Sequence, residues 1–113
     1  MHEMPVVLSA IEYLDDLADK NDIKSIKEVV MQIGEIAPVI PEYFEKYWQS
    51  AIERSKHLQQ SVLYIEIIPG IAKCDHCNHE FNIETYNGIC PECHYRYWKI
   101  ISGREVDIKE IHL

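Results

Sequence analysis

In this 113-residue chain, the residues able to do chemistry are four cysteines and the first three positions. The cysteines form two Cys-x-x-Cys pairs, Cys74-Asp75-His76-Cys77 and Cys90-Pro91-Glu92-Cys93, with twelve residues between them. Within each pair the short spacing lets backbone N–H groups hydrogen-bond the thiolates while two sulfurs converge on one ion. Two such pairs close a tetrahedral S₄ site, the geometry that Zn²⁺ accepts most readily. Gly88 and Pro91 suit the tight turns around the second pair. A closed S₄ site keeps no position open for a substrate, so its role is structural or regulatory.

Three other chemistries compete for these cysteines. Cys-Pro-Glu-Cys-His matches covalent c-type haem attachment, but leaves Cys74 and Cys77 unexplained. A thioredoxin-like pair needs a strand-to-helix context that is missing, and disulfides need an oxidising compartment. His76, His79 and His94 flank the pairs and have two readings: solvated loop residues, or auxiliary groups that tune the metal site. His57, among polar residues at the end of the predicted second helix, and His112 at the C-terminus read as surface residues.

The chain opens Met1-His2-Glu3. A free α-amine, the His2 amide nitrogen and the His2 ring form fused chelate rings from two adjacent residues. Such a nitrogen set suits metals that favour planar coordination, chiefly Cu(II) and Ni(II), and the Glu3 amide or carboxylate can fill a further position. Amine and imidazole must both lose protons to bind, so affinity falls steeply below neutral pH. The site requires Met1 to keep its amine.

The elements that hold these residues follow from periodicity. From Pro5 to Lys20 the apolar positions Val6, Val7, Ala10, Ile11, Leu14, Leu17 and Ala18 recur at helical spacing, with Glu12, Asp15, Asp16 and Asp19 opposite. Pro5 fits a first turn and Asn21-Asp22 a stop. Ser25–Glu35 alternates as a strand. A second helix is predicted from about Pro41 to His57, with Tyr43, Phe44, Tyr47, Trp48, Ala51 and Ile52 on its apolar face. Val62–Ile68 is a second strand, closed by Pro69-Gly70. Apolar runs vanish over residues 71–97, and the pattern resumes at Trp98 as strand, interrupted at Gly103. The expectation is an α+β fold: a small three-stranded sheet with two helices from residues 1–69 and 98–113, and an inserted Cys₄ zinc-ribbon-like module at 70–97.

Eleven Lys and Arg against nineteen Asp and Glu give a formal net charge of −8. Nucleic-acid binders advertise basic patches, and residues 70–97 carry −2 before any thiolate is counted, so the balance argues against nucleic acid. No stretch approaches the roughly 18 apolar residues of a membrane span, and the start lacks the layout of a signal peptide. A cytoplasmic location is therefore expected, which in turn disfavours disulfides. No nucleophile triad, phosphate loop or paired carboxylate points to an enzyme.

The initial MHE, IGE (Ile33-Gly34-Glu35) followed by PE (Pro41-Glu42), IPG before the cysteines, CDHC…CPEC, and the closing ISGREVDIKEI together resemble the HypA/HybF family of hydrogenase nickel-incorporation proteins. The resemblance covers essentially the whole chain. It implies a nickel metallochaperone working with a HypB-type GTPase, delivering Ni(II) to the [NiFe]-hydrogenase large-subunit precursor and in some organisms toward urease with its maturation proteins. It also implies nickel ligands at Met1, His2 and Glu3, and zinc ligands at Cys74, Cys77, Cys90 and Cys93. His94 stands where small residues are common in the family. The rival reading is a zinc-ribbon module for protein interaction or nucleic-acid binding, without nickel function.

Overall fold

The computed structural model describes residues 3–113. Helix α1 (Glu3–Lys20) buries Val7, Ala10, Ile11, Leu14 and Ala18, the stripe expected from spacing. It stops where Asp22 adopts a left-handed φ of 54° and the Ile23 N–H reaches back to the Ala18 carbonyl at 2.9 Å. This is a Schellman closure, which satisfies a carbonyl that the helix end would otherwise orphan. Strand β1 (Glu28–Gly34) follows, then helix α2 (Pro41–Ala51), a 3₁₀ turn (Ile52–Arg54) and strand β2 (Val62–Ile68). Helix α2 is shorter than its apolar pattern suggests. The chain tightens at Ile52 and turns at Ser55 to bring the next segment back to α1.

Strands β1 and β2 pair in parallel, and β6 (Val106–His112) pairs antiparallel with the other side of β1. Val29, Met31 and Ile33 of β1 point at the helices, where Leu14, Phe44, Trp48 and Leu58 complete a core from which water is excluded. The parallel β1–β2 pair requires a crossover, and α2 supplies it.

A second three-stranded sheet is formed by β3 (Ile71–Cys74), β4 (Glu80–Asn82) and β5 (Trp98–Ser102), in the order β4-β3-β5. This corrects the sequence reading of residues 98–102. They do form a strand, but it pairs with β3, and only Val106–His112 returns to the first sheet. The reason lies in packing: Trp98 covers Ala72, Cys74, Phe81 and Cys90. Its indole N–H also donates to the Gly88 carbonyl at 2.9 Å.

His57 is a second correction. It is buried, with its ring Nδ1 2.9 Å from the Lys24 carbonyl and Nε2 2.8 Å from an Asp19 carboxylate oxygen. Asp15 accepts the Ser55 hydroxyl at 2.8 Å and the His57 backbone N–H at 3.0 Å. Together these bonds stitch the segment after the 3₁₀ turn to α1.

Candidate metal centre

Each cysteine pair folds into the same small unit. After the second cysteine, Asn78 and His94 adopt left-handed φ values of 62° and 63°. Their N–H groups return to the carbonyls of Cys74 and Cys90 at 3.0 and 2.9 Å. The N–H groups of Cys74 and Cys90 in turn donate to the carbonyls of His79 and Tyr95. His94 thus occupies the turn position that Asn78 fills in the first unit, a backbone role for which its ring is not needed.

The two units face each other. All four sulfurs lie within 4.8 Å of one another, with Cys74–Cys93 and Cys77–Cys90 each at 3.5 Å. Tetrahedral bonds of about 2.3 Å to zinc place sulfurs roughly 3.8 Å apart, so the cluster fits that ion with little adjustment. Cys74 and Cys90 are buried, Cys93 is half-buried and Cys77 is exposed, so a bound ion would be sheltered on one side and open toward Cys77.

Electrostatics point the same way. Burial alone would raise the Cys74 thiol, yet the backbone N–H groups of Cys77 and His76, joined by hydrogen bonds from the Cys93 and Cys77 thiols, outweigh it and lower it to about 7. The Tyr95 N–H favours the Cys93 thiolate, but burial and three neighbouring thiols overcome it and push that group up to about 12. Four thiolates at such separations need a cation to neutralise them.

The flanking histidines do not join the sulfur cluster, which among the described residues comprises the four cysteines. The His76 ring stacks on Tyr95, centroids 5.3 Å apart, and His94 is exposed.

At the other candidate site, Met1 and His2 lie outside the described residues. Glu3 sits in the first turn of α1 and is only 3% exposed. One of its carboxylate oxygens accepts the Ile40 N–H at 3.0 Å, joining the start of α1 to the residue that precedes α2. Sequence reasoning missed this tether, as it missed Glu35. The Glu35 Oε1 accepts the Gly70 N–H at 2.7 Å and the Asn82 amide at 3.0 Å.

The family model for hydrogenase/urease nickel incorporation, metallochaperone HypA, matches residues 1–113. The chain belongs to the HypA family. It is 30% identical to hydrogenase maturation factor HypA of Geobacter metallireducens, covering 100% of this chain and 99% of that one. The HypA of Streptomyces avermitilis is 32% identical over 99% of this chain and 86% of its own length. The solution structure of the Ni metallochaperone HypA from Helicobacter pylori superposes with a TM-score of 0.71 at 28% identity, covering 100% of this chain and 97% of that one. As a HypA-family member the protein is a nickel metallochaperone for hydrogenase maturation, with an α+β fold and a cysteine cluster suited to zinc. Among the described residues no helix is long and apolar enough to cross a membrane.

Proposed function

We propose that the protein carries Ni(II) on the Met1 amine, the His2 amide and ring, and Glu3, while Cys74, Cys77, Cys90 and Cys93 hold a resident Zn(II). The observation that carries the zinc half is the convergence of four sulfurs in two matched turn units. For nickel, support comes from the family match over the whole chain and from Glu3, whose buried carboxylate already serves the Ile40 N–H. Glu3 contributes through its backbone amide or its carboxylate, of which the Ile40 N–H engages one oxygen.

A terminal site suits delivery, because its ligands can detach one at a time when an acceptor competes. Copper binds the same nitrogens more tightly, so selectivity for nickel rests on metal supply and docking. His76, His79 and His94 are not nickel ligands in this reading. The chain works as a cytoplasmic transfer protein without turnover chemistry. It partners a HypB-type GTPase and hands nickel toward the hydrogenase large-subunit precursor or toward urease maturation. Exposed Met4, Leu8, Ile40 and Tyr43 beside the Glu3 end offer the apolar contact such a partner needs. The cysteine-bearing segment acts as an inserted module within the helix-covered domain, extending through β5.

X-ray absorption at both metal edges on the loaded protein tests the assignment. Four sulfurs at about 2.3 Å from zinc and a sulfur-free nickel shell are expected. Sulfur around nickel, or nitrogen-rich zinc, would overturn it.

A further inference from the structure

The three glycine motifs IGE, IPG and ISG lie far apart in the chain but meet at one place. There the backbone leaves the first sheet for the second and then returns. A methyl group on Gly34 would sit 1.8 Å from the Gly103 carbonyl oxygen, and one on Gly103 would sit 2.4 Å from the Gly70 Cα. The Ile36 N–H donates to the Gly103 carbonyl at 3.0 Å, and the Gly34 N–H to the Glu105 carbonyl at 2.7 Å. Two carboxylates reach this junction: Glu105 accepts the Gly103 N–H at 2.6 Å within its own turn, whereas Glu35 reaches across to the second sheet.

A single Glu35 oxygen accepts both the Gly70 N–H, at the entry to β3, and the side-chain amide of Asn82, in β4. Asn82 is held so that its nitrogen must face Glu35, because its own oxygen accepts the Thr85 N–H and hydroxyl at 2.9 and 3.0 Å. The Ile83 N–H then bonds the Gly70 carbonyl at 2.9 Å. Glu35 therefore grips the second sheet by both its entering strand and its edge. The Gly70 N–H and the Asn82 amide also hold its carboxyl below the usual range, so it is ionised at neutral pH. Five residues onward, the Ile40 N–H holds Glu3. Val39 between them is buried, and Pro38 and Pro41 limit the freedom of the segment.

We propose that Glu35 is a positioning residue that fixes the cysteine-bearing sheet against the helix-covered sheet and, through the short 35–40 segment, links that arrangement to the seat of Glu3. The link to nickel rests on the proposed terminal nickel site; the orientation claim does not.

Amide residual dipolar couplings on the full-length, zinc-loaded protein test the orientation. One alignment tensor should fit both sheets in the wild type and in Glu35→Gln, whose amide oxygen can accept the same two N–H groups. Glu35→Ala should need two tensors, while couplings within each sheet stay as in the wild type. A single wild-type tensor in Glu35→Ala would overturn the proposal. If that variant does not fold, Asn82→Ala decides by the same criterion: it removes the edge contact to Glu35, together with the Asn82 bonds to Thr85 inside the second sheet, and keeps the Gly70 contact. Nickel affinity of Glu35→Ala should weaken at least about fivefold, the low end of coupling between sites, and recover in Glu35→Gln. Unchanged nickel affinity would refute the link to Glu3. Absence of nickel binding in the wild type would instead defeat the terminal-site reading and leave the tensor comparison valid.

Discussion

Replacing Gly34 by Ala should destabilise the protein severely even though it adds one methyl group. The new Cβ would lie 1.8 Å from the Gly103 oxygen and 2.7 Å from the Arg104 nitrogen, both backbone atoms. Reaching the 3.4 Å of ordinary contact means opening the crossing by about 1.6 Å. That movement breaks the bond from the Ile36 N–H to the Gly103 carbonyl and strains the bond from the Gly34 N–H to the Glu105 carbonyl, now 3.0 and 2.7 Å long. Each lost hydrogen bond costs about 1 kcal/mol net, and a buried group left without a partner adds about 1–3 kcal/mol. The sum, roughly 3–5 kcal/mol, is a large share of the ~5–15 kcal/mol that holds an ordinary domain together. Gly88→Ala is the control, since its methyl would meet only the Trp98 ring at 3.7 Å and pay mainly for a φ of +73°. Urea unfolding of zinc-loaded protein, followed by far-UV circular dichroism, measures both. A loss below about 1 kcal/mol for Gly34→Ala, or one no larger than that of Gly88→Ala, would refute the reasoning that this crossing is rigid.

Three other outcomes are expected. Both His57 nitrogens face acceptors, so the ring is fully satisfied only as imidazolium, and its pKa is raised by the Lys24 carbonyl and then by Asp19, against burial. A raised folded-state pKa contributes stability that is fully present below about pH 6.5 and is lost as pH rises through the folded value. The urea-midpoint difference between wild type and His57→Gln should therefore shrink from pH 6 to pH 9; a constant difference would contradict it. His94→Gly relieves a left-handed backbone, φ 63°, by roughly 0.5–1 kcal/mol net. Chelator competition should then show zinc bound about two- to fivefold tighter, with nickel affinity unchanged. Cys77→Ser or Cys93→Ser should remove zinc and abolish amide protection in residues 71–102, while residues 28–34 and 62–68 stay protected in hydrogen exchange.

The parts legible in the sequence were those where one physical requirement repeats. The α1 stripe, the β1 and β2 alternation and the paired cysteines each restate a single rule several times, so they could be read without the fold. Other features depend on long-range pairing. Trp98–Ser102 alternates in the same manner as Val106–His112, and only contacts with Phe81 and the cysteines assign it to the second sheet. His57 looks solvated among polar neighbours, yet the turn after α2 carries it to Asp19 and Lys24. The tethers made by Glu35 and Glu3 carry no local signal, because the groups they bind, backbone N–H groups and the Asn82 amide, lie tens of residues away. Met1 and His2 are expected to bind nickel from their chelating chemistry and the family resemblance, and both lie outside the described residues.

The central claim is that nickel binds at the chain's beginning. Calorimetric Ni(II) titration should compare three zinc-loaded proteins: the native chain, His2→Ala, and a form with one glycine added before Met1. Strong binding in the first and its loss in both others is predicted, because the variant lacks the ring and the extension displaces the amine from its chelate position. Native affinity in both altered proteins would contradict the account.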